Sequence, residues 1–191
     1  MKKVFIITAI LILAFAAFSL AEEYDFRNVN WGMSREEVKS IETADDFLEL
    51  EDGAYTYKAT VASLDSYLIY DFVENKLASS AYMFLVEHSN ENLYIEDFYD
   101  LKTLLIKKYG EPAFNIINWD NDLYKDSEQD YGFAVSIGHL EYFTRWETDK
   151  TTIKLQLGGD NYDILLSLIY ISKEYKDLLN KADEEEDLSS L

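Results

Sequence analysis

The sequence predicts an α+β fold: one antiparallel sheet of about six strands with helices packed on one of its faces. Three observations carry this. Residues 55–61 alternate, with Tyr55, Tyr57, Ala59 and Val61 opposite Thr56, Lys58 and Thr60, which is the two-residue period of a strand with one wet face. Residues 93–109 instead carry Tyr94, Phe98, Leu101, Leu104 and Leu105 at spacings of three and four, the period of a helix with one buried stripe. Finally, a helix followed by three strands is read twice along the chain, over about 26–88 and 92–175, and helices laid on one side of a sheet bury that pattern.

The first helix starts at Ser34, where Ser34 and Glu37 form a capping box and Met33 and Val38 a hydrophobic staple. Strand 55–61 turns at Ser63-Leu64-Asp65-Ser66 into a strand over 67–72. Glu74-Asn75-Lys76 then turns into a third strand over 77–86, completing a meander. Asn92 is expected to cap the long helix, Lys107 and Lys108 suit the dipole at its end, and Gly110 with Pro112 stops it. Residues 115–130 read as a polar, acidic loop.

Residues 131–140 fit both periods, with a short helix preferred. Strands over 141–146 and 152–157 flank a hairpin loop, Gly158-Gly159-Asp160-Asn161 turns the chain again, and 162–172 is apolar on both sides, as a central strand would be. A short helix over 173–180 and a disordered acidic tail from Ala182 to Leu191 complete the single domain, 22–181.

The N-terminus places the protein. Lys2 and Lys3, an apolar run from Val4 to Phe18, and Ser19-Leu20-Ala21 form a secretory signal with its cut after Ala21, so the expected location is the periplasm or the exterior. An uncleaved membrane anchor is the competing reading. With no cysteine, the chain offers no thiol for lipidation, disulfides, redox chemistry or a thiolate zinc site.

After cleavage, 15 basic residues face 37 acidic ones, a net charge of −22. Nucleic-acid and anionic-lipid binding rely on cations displacing counterions, so those partners are excluded. The 15 tyrosines and 11 phenylalanines supply a large core and argue against a disordered chain.

Trp31-Gly32-Met33-Ser34-Arg35-Glu36-Glu37-Val38, with Tyr109-Gly110-Glu111-Pro112 at the end of the long helix, resembles the pattern of a group of uncharacterised exported bacterial proteins. More distantly, Gly-Met-Ser before Val38 is similar to the helix start of the SmpA/OmlA-type envelope proteins. The repeated helix-plus-strands order is similar to the β-lactamase-inhibitor-protein-like fold. The resemblance implies a fold and a compartment, without a catalytic mechanism.

The search for chemistry is mostly negative. His88 and His139 are the only histidines, and neither lies near a nucleophile-elbow sequence. Asp120, Asp122 and Asp126 are the candidate calcium ligands. Tyr124, Lys125 and Tyr131 stand at the fifth, sixth and twelfth positions counted from Asp120, which breaks the EF-hand spacing and leaves a solvated acidic loop as the alternative. Gly158-Gly159 precedes Asp160, whose charge repels phosphate.

Tyr55, Tyr57, Tyr67, Tyr70 and Tyr82 are the candidate binding face, against ordinary sheet packing. The expected function is therefore non-enzymatic binding of a protein or envelope partner, with no cofactor. An envelope hydrolase using paired carboxylates, possible with calcium, is the alternative.

Overall fold

The structure, a computed structural model, describes residues 24–189. The signal segment expected over residues 1–21 and the last two residues of the tail lie outside them. Three strand pairs are joined by two-residue turns whose central residues both have positive φ: Ala62 and Ser63 (53° and 70°), Glu74 and Asn75 (50° and 60°), Asn161 and Tyr162 (49° and 72°). Such turns match the twist of antiparallel strands and fix their register without slack.

From these hairpins grows one sheet. Helix α1 (Arg35–Ile41) precedes β1 (Asp45–Glu49), β2 (Tyr55–Val61), β3 (Leu64–Val73) and β4 (Lys76–Phe84). Helix α2 (Asn92–Tyr109) precedes β5 (Phe114–Trp119), α3 (Tyr131–Ser136), β6 (Leu140–Glu147), β7 (Thr151–Asp160) and β8 (Asp163–Ser172), and α4 (Lys176–Ser189) follows. The spatial order is β1-β2-β3-β4-β8-β7-β6-β5, antiparallel throughout. The last strands of the two runs, β4 and β8, meet in the middle, and their first strands, β1 and β5, form the two edges.

The sheet thus has eight strands where about six were expected, and each run has four where three were expected. The additional strands are the edges. The segment holding β5 reads as loop in the sequence; it pairs in unbroken register with β6 and is followed by two 3-10 turns at Asp122–Tyr124 and Glu128–Asp130. Residues 131–136 are helical as preferred, and α4 extends past Asn180 into the acidic segment expected to be a tail.

One face of the sheet carries the core. Through the register Tyr57↔Leu68, Leu68↔Tyr82, Tyr82↔Leu168, Leu168↔Leu155 and Leu155↔Thr144, these residues share that face. Phe98, Leu101 and Leu105 of α2, Val38 of α1 and Ala134 and Val135 of α3 are buried in the same cluster. Trp146 is buried with them, and its indole N–H donates to the Gly110 carbonyl at 2.9 Å, tying β6 to the end of α2.

The capping box of α1 forms as expected: the Ser34 N–H donates to Glu37 at 2.8 Å and the Glu37 N–H to Ser34 Oγ at 3.3 Å. Asn92, expected to cap α2, does something else. Its amide donates to the Gln129 carbonyl (2.8 Å) and accepts from the Gly132 N–H (2.7 Å), fastening α3 against the start of α2. Gly158 and Gly159, expected in a turn, lie inside β7. A Cβ on Gly159 would sit 2.7 Å from the Val135 and Asp163 carbonyl oxygens, so close approach to α3 requires glycine there. No helix among the described residues is long and apolar enough to cross a membrane.

Candidate binding surface

The five tyrosines do not form one face. Tyr55, Tyr57, Tyr70 and Tyr82 are buried on the helix-covered side. Tyr67 pairs with Lys58 and Met83, which puts it on the opposite side, where it is 41% exposed. Four of the expected contacts are therefore core. Burial pushes the Tyr57 hydroxyl up to about 12, and burial followed by the Glu42 hydrogen bond raises Tyr70 well above its ordinary value.

Tyr70 belongs to the most densely bonded polar cluster. Arg27 holds Glu42 through Nε (3.0 Å) and Nη2 (3.1 Å), Tyr70 donates to the same carboxylate, and the Thr43 and Ala44 N–H groups donate to it at 2.8 Å. Burial alone would raise the Glu42 carboxyl. The Tyr70 and Ala44 donors, the Arg27 charge and the Thr43 donor outweigh it and hold the group below its ordinary value. Every acceptor site here is occupied by the protein, so the cluster anchors the N-terminal segment and the end of α1 to the sheet.

Two of the three candidate calcium ligands in the acidic loop have partners within the protein. Asp120 accepts from Asn118 (2.8 Å), Asp122 is paired with Lys125 (2.9 Å), and no group of three or more His, Asp or Glu side chains suited to a metal occurs among the described residues. Of the histidines, His88 Nε2 lies 2.6 Å from Asp97 Oδ2 with its ring edge-on to Tyr94, bracing the connection into α2. His139 stacks obliquely on Tyr124, at 6.0 Å between ring centres.

What remains is the sheet face that the helices leave uncovered. Its register runs Phe114 and Ile116 on β5, Glu141, Phe143 and Arg145 on β6, Gln156 and Gly158 on β7, and Asp163, Leu165 and Ser167 on β8. Phe114, Ile116 and Leu165 are each more than 40% exposed. The Phe114 and Phe143 rings meet edge to face at 5.9 Å. Together they line a cleft of about 710 Å³, with Glu141, Asp160 and Asp163 as its only charged residues. Exposed apolar surface of this kind, with a few polar groups around it, is what binding surfaces on soluble domains offer.

A second cleft, of about 580 Å³, lies beside the same strand on the helix-covered side. Ile95 and Tyr99 of α2, Ile117 and Trp119 of β5, Tyr131 and Tyr142 line it, with Glu128 the one charged residue. Trp119 and Tyr131 meet there at 5.1 Å. Neither cleft was expected from the sequence. The signal was the run Phe114-Asn115-Ile116-Ile117-Asn118-Trp119, whose apolar residues serve both faces at once and which sits in a segment too polar to stand out.

The fold and this surface define a class: an α+β domain built on a single eight-stranded antiparallel sheet, with α1, α2 and α3 on one face and apolar side chains of β5 and β8 exposed on the other. Comparison of the chain with protein-family models, curated proteins and solved structures gives no match.

Proposed function

We propose that this is an exported, non-enzymatic binding protein of the bacterial envelope or exterior, which holds a protein or envelope partner on the uncovered face of its sheet. The observation that carries the reading is the cleft floored by Phe114, Ile116, Phe143 and Leu165, which no helix lines. Leaving such side chains in water forfeits about 25 cal/mol for each Å² that a partner would bury. The signal-like N-terminus supports export, and the resemblance to exported bacterial proteins supports the compartment.

Co-purification from native envelope and culture medium tests it. The secreted chain should begin at Glu22 and bring down a stoichiometric partner, and the double variant Phe143→Asp, Leu165→Asp, with unchanged circular dichroism, should lose it. Equal recovery of the partner by both proteins would remove the cleft from the binding surface. Retention of the chain in the cytoplasm would end the reading altogether.

A further inference from the structure

The two edges of the sheet are built on opposite principles. Unpaired edge backbone is a template for another strand, and soluble proteins guard it with charge, short length and bulges. Edge strand β1 has charge and a bulge: Asp45, Asp46 and Glu49 within five residues, an Asp46–Lys58 ion pair at 2.8 Å, and a register break between Asp45 and Leu48 where Asp46 takes a φ of 55°. Edge strand β5, almost as short, has neither. Its six residues are uncharged, its register with β6 is continuous, and it contains no proline.

Its free side is also identifiable. The Asp120 N–H donates to the His139 carbonyl at 3.0 Å, continuing the β5–β6 ladder by one residue. Hydrogen-bonding direction alternates along an antiparallel strand, so Asn115, Ile117 and Trp119 turn their N–H and C=O groups outward.

The two clefts then acquire a common meaning, because they flank β5 on opposite faces of the sheet. A strand laid along β5 would send alternate side chains into the Phe114–Phe143 cleft and the Trp119–Tyr131 cleft. Both are apolar. Both carry carboxylates, Glu141, Asp160 and Asp163 on one side and Glu128 on the other, and no Lys or Arg lines either. Two cations do lie at the start of β5, Arg145 over the Phe114 ring (5.7 Å) and Lys102 donating to Asn115 (2.7 Å), but Arg145 is engaged by Glu147 at 3.2 Å and Lys102 by Asn115, so among the described residues the carboxylates near Trp119 are the unpaired charges of the edge. A second copy of this chain suits the site poorly, since its β5 brings no cation and each full chain carries a net charge of −20.

We infer that β5 accepts an extended segment of a basic partner protein by strand addition, with apolar side chains in the two clefts and flanking lysines or arginines facing Glu128 and Glu141. For the open-face cleft this rests on the reading proposed above; the edge pairing goes beyond it. Main-chain pairing supplies affinity in this mode and the alternating pockets supply selectivity.

The probe is the synthetic peptide Lys-Lys-Val-Phe-Ile-Val-Lys-Lys, titrated into isotope-labelled protein, with Glu in place of every Lys as control. The expected result is saturable binding that slows amide exchange at Asn115, Ile117 and Trp119 and weakens with salt and with the acidic control. Ile117→Pro removes an outward N–H at an edge position, where proline is tolerated, and should weaken binding roughly tenfold, about the worth of one hydrogen bond. If that variant loses its native amide spectrum, Ile117→Lys replaces it, putting a like charge in the helix-side cleft.

Shifts around Phe143 and Leu165 without protection of the three amides would overturn strand addition while leaving face binding intact. So would failure of the peptide to bind while the native partner still depends on Phe143 and Leu165. Equal binding of the acidic peptide would overturn the basic partner. A dimer by sedimentation that Ile117→Pro dissociates would replace it with a second copy of the chain.

Discussion

Replacing Glu42 with alanine tests how the N-terminal segment is held to the sheet. The Glu42 side chain is only 4% exposed, and removing it leaves the Arg27 guanidinium and the fully buried Tyr70 hydroxyl without their acceptor. Breaking a buried ion pair from one side costs about 3–5 kcal/mol. Arg27 keeps 28% of its side chain in water and recovers part of its hydration, which places the loss near the lower end, about 3 kcal/mol. For a domain of this size each kcal/mol lowers Tm by about 2–4 °C, so calorimetry at neutral pH should show a fall of roughly 6–12 °C. The loss is pH-dependent with a definite sign. Glu42 is held below its ordinary value of 4.5 in the folded state, so its contribution is present above that pH and disappears as pH falls through the folded value. Wild type and Glu42→Ala should therefore converge in Tm under acid. A neutral-pH difference below about 1 kcal/mol, the worth of an exposed pair, would refute the reasoning by showing that water replaces the carboxylate without penalty.

Two further outcomes follow from the core. Gly132→Ala should destabilise the domain by more than about 3 kcal/mol by urea titration, because the new Cβ would sit 2.3 Å from the Asn92 backbone N and break the fastening of α3 to α2; a near-neutral effect would show that α3 moves freely. In a spectrophotometric titration, Tyr57, raised to about 12 by burial, and the buried Tyr70 should stay neutral well above the ordinary tyrosine value of about 10. Since folding raises these values, their stabilisation is complete below pH 10 and fades as pH climbs from there toward about 12, so their ionisation should coincide with loss of the circular dichroism signal.

The parts of the fold that were legible in the sequence are those in which one short-range rule acts alone. The Ser34–Glu37 box, the stripe of α2 and the alternation of β2 each depend only on spacing; the box forms as read, and the other two do so except that Leu104 of the stripe is exposed and Thr56, on the expected wet face, is buried. Where a residue serves two masters the reading shifted. Asn92 has the chemistry of a cap, but Gly132, forty positions on, offers its N–H, and tertiary pairing took the side chain. Gly158-Gly159 has the composition of a turn, yet contact with α3 needs the space at Gly159 and the turn moves to Asn161 and Tyr162. The tyrosine face shows the same limit. Alternation assigns Tyr55 and Tyr57 to one side, but only the cross-strand register, Lys58↔Tyr67, places Tyr67 on the other. The candidate site was the least legible, because an edge strand that presents apolar groups to both faces has neither the period of a strand nor that of a helix.

The arrangement of the two runs separates structural need from function at that edge. β1 and β5 hold equivalent places: each follows a helix, each opens a run of four strands, and each lies at the outside of the sheet. Whatever the fold asks of an edge strand it asks of both, and β1 shows that an acidic, bulged segment satisfies it. Packing against the core accounts for Trp119, but helix capping and strand pairing do not account for the rest of the uncharged sequence of β5. An unguarded edge also exposes the chain to aggregation, a cost that the net charge of −20 offsets by repulsion between copies. That same charge would draw a basic segment toward the edge it keeps other copies away from, so the acidity of the chain and the bareness of β5 both suit the strand addition proposed above.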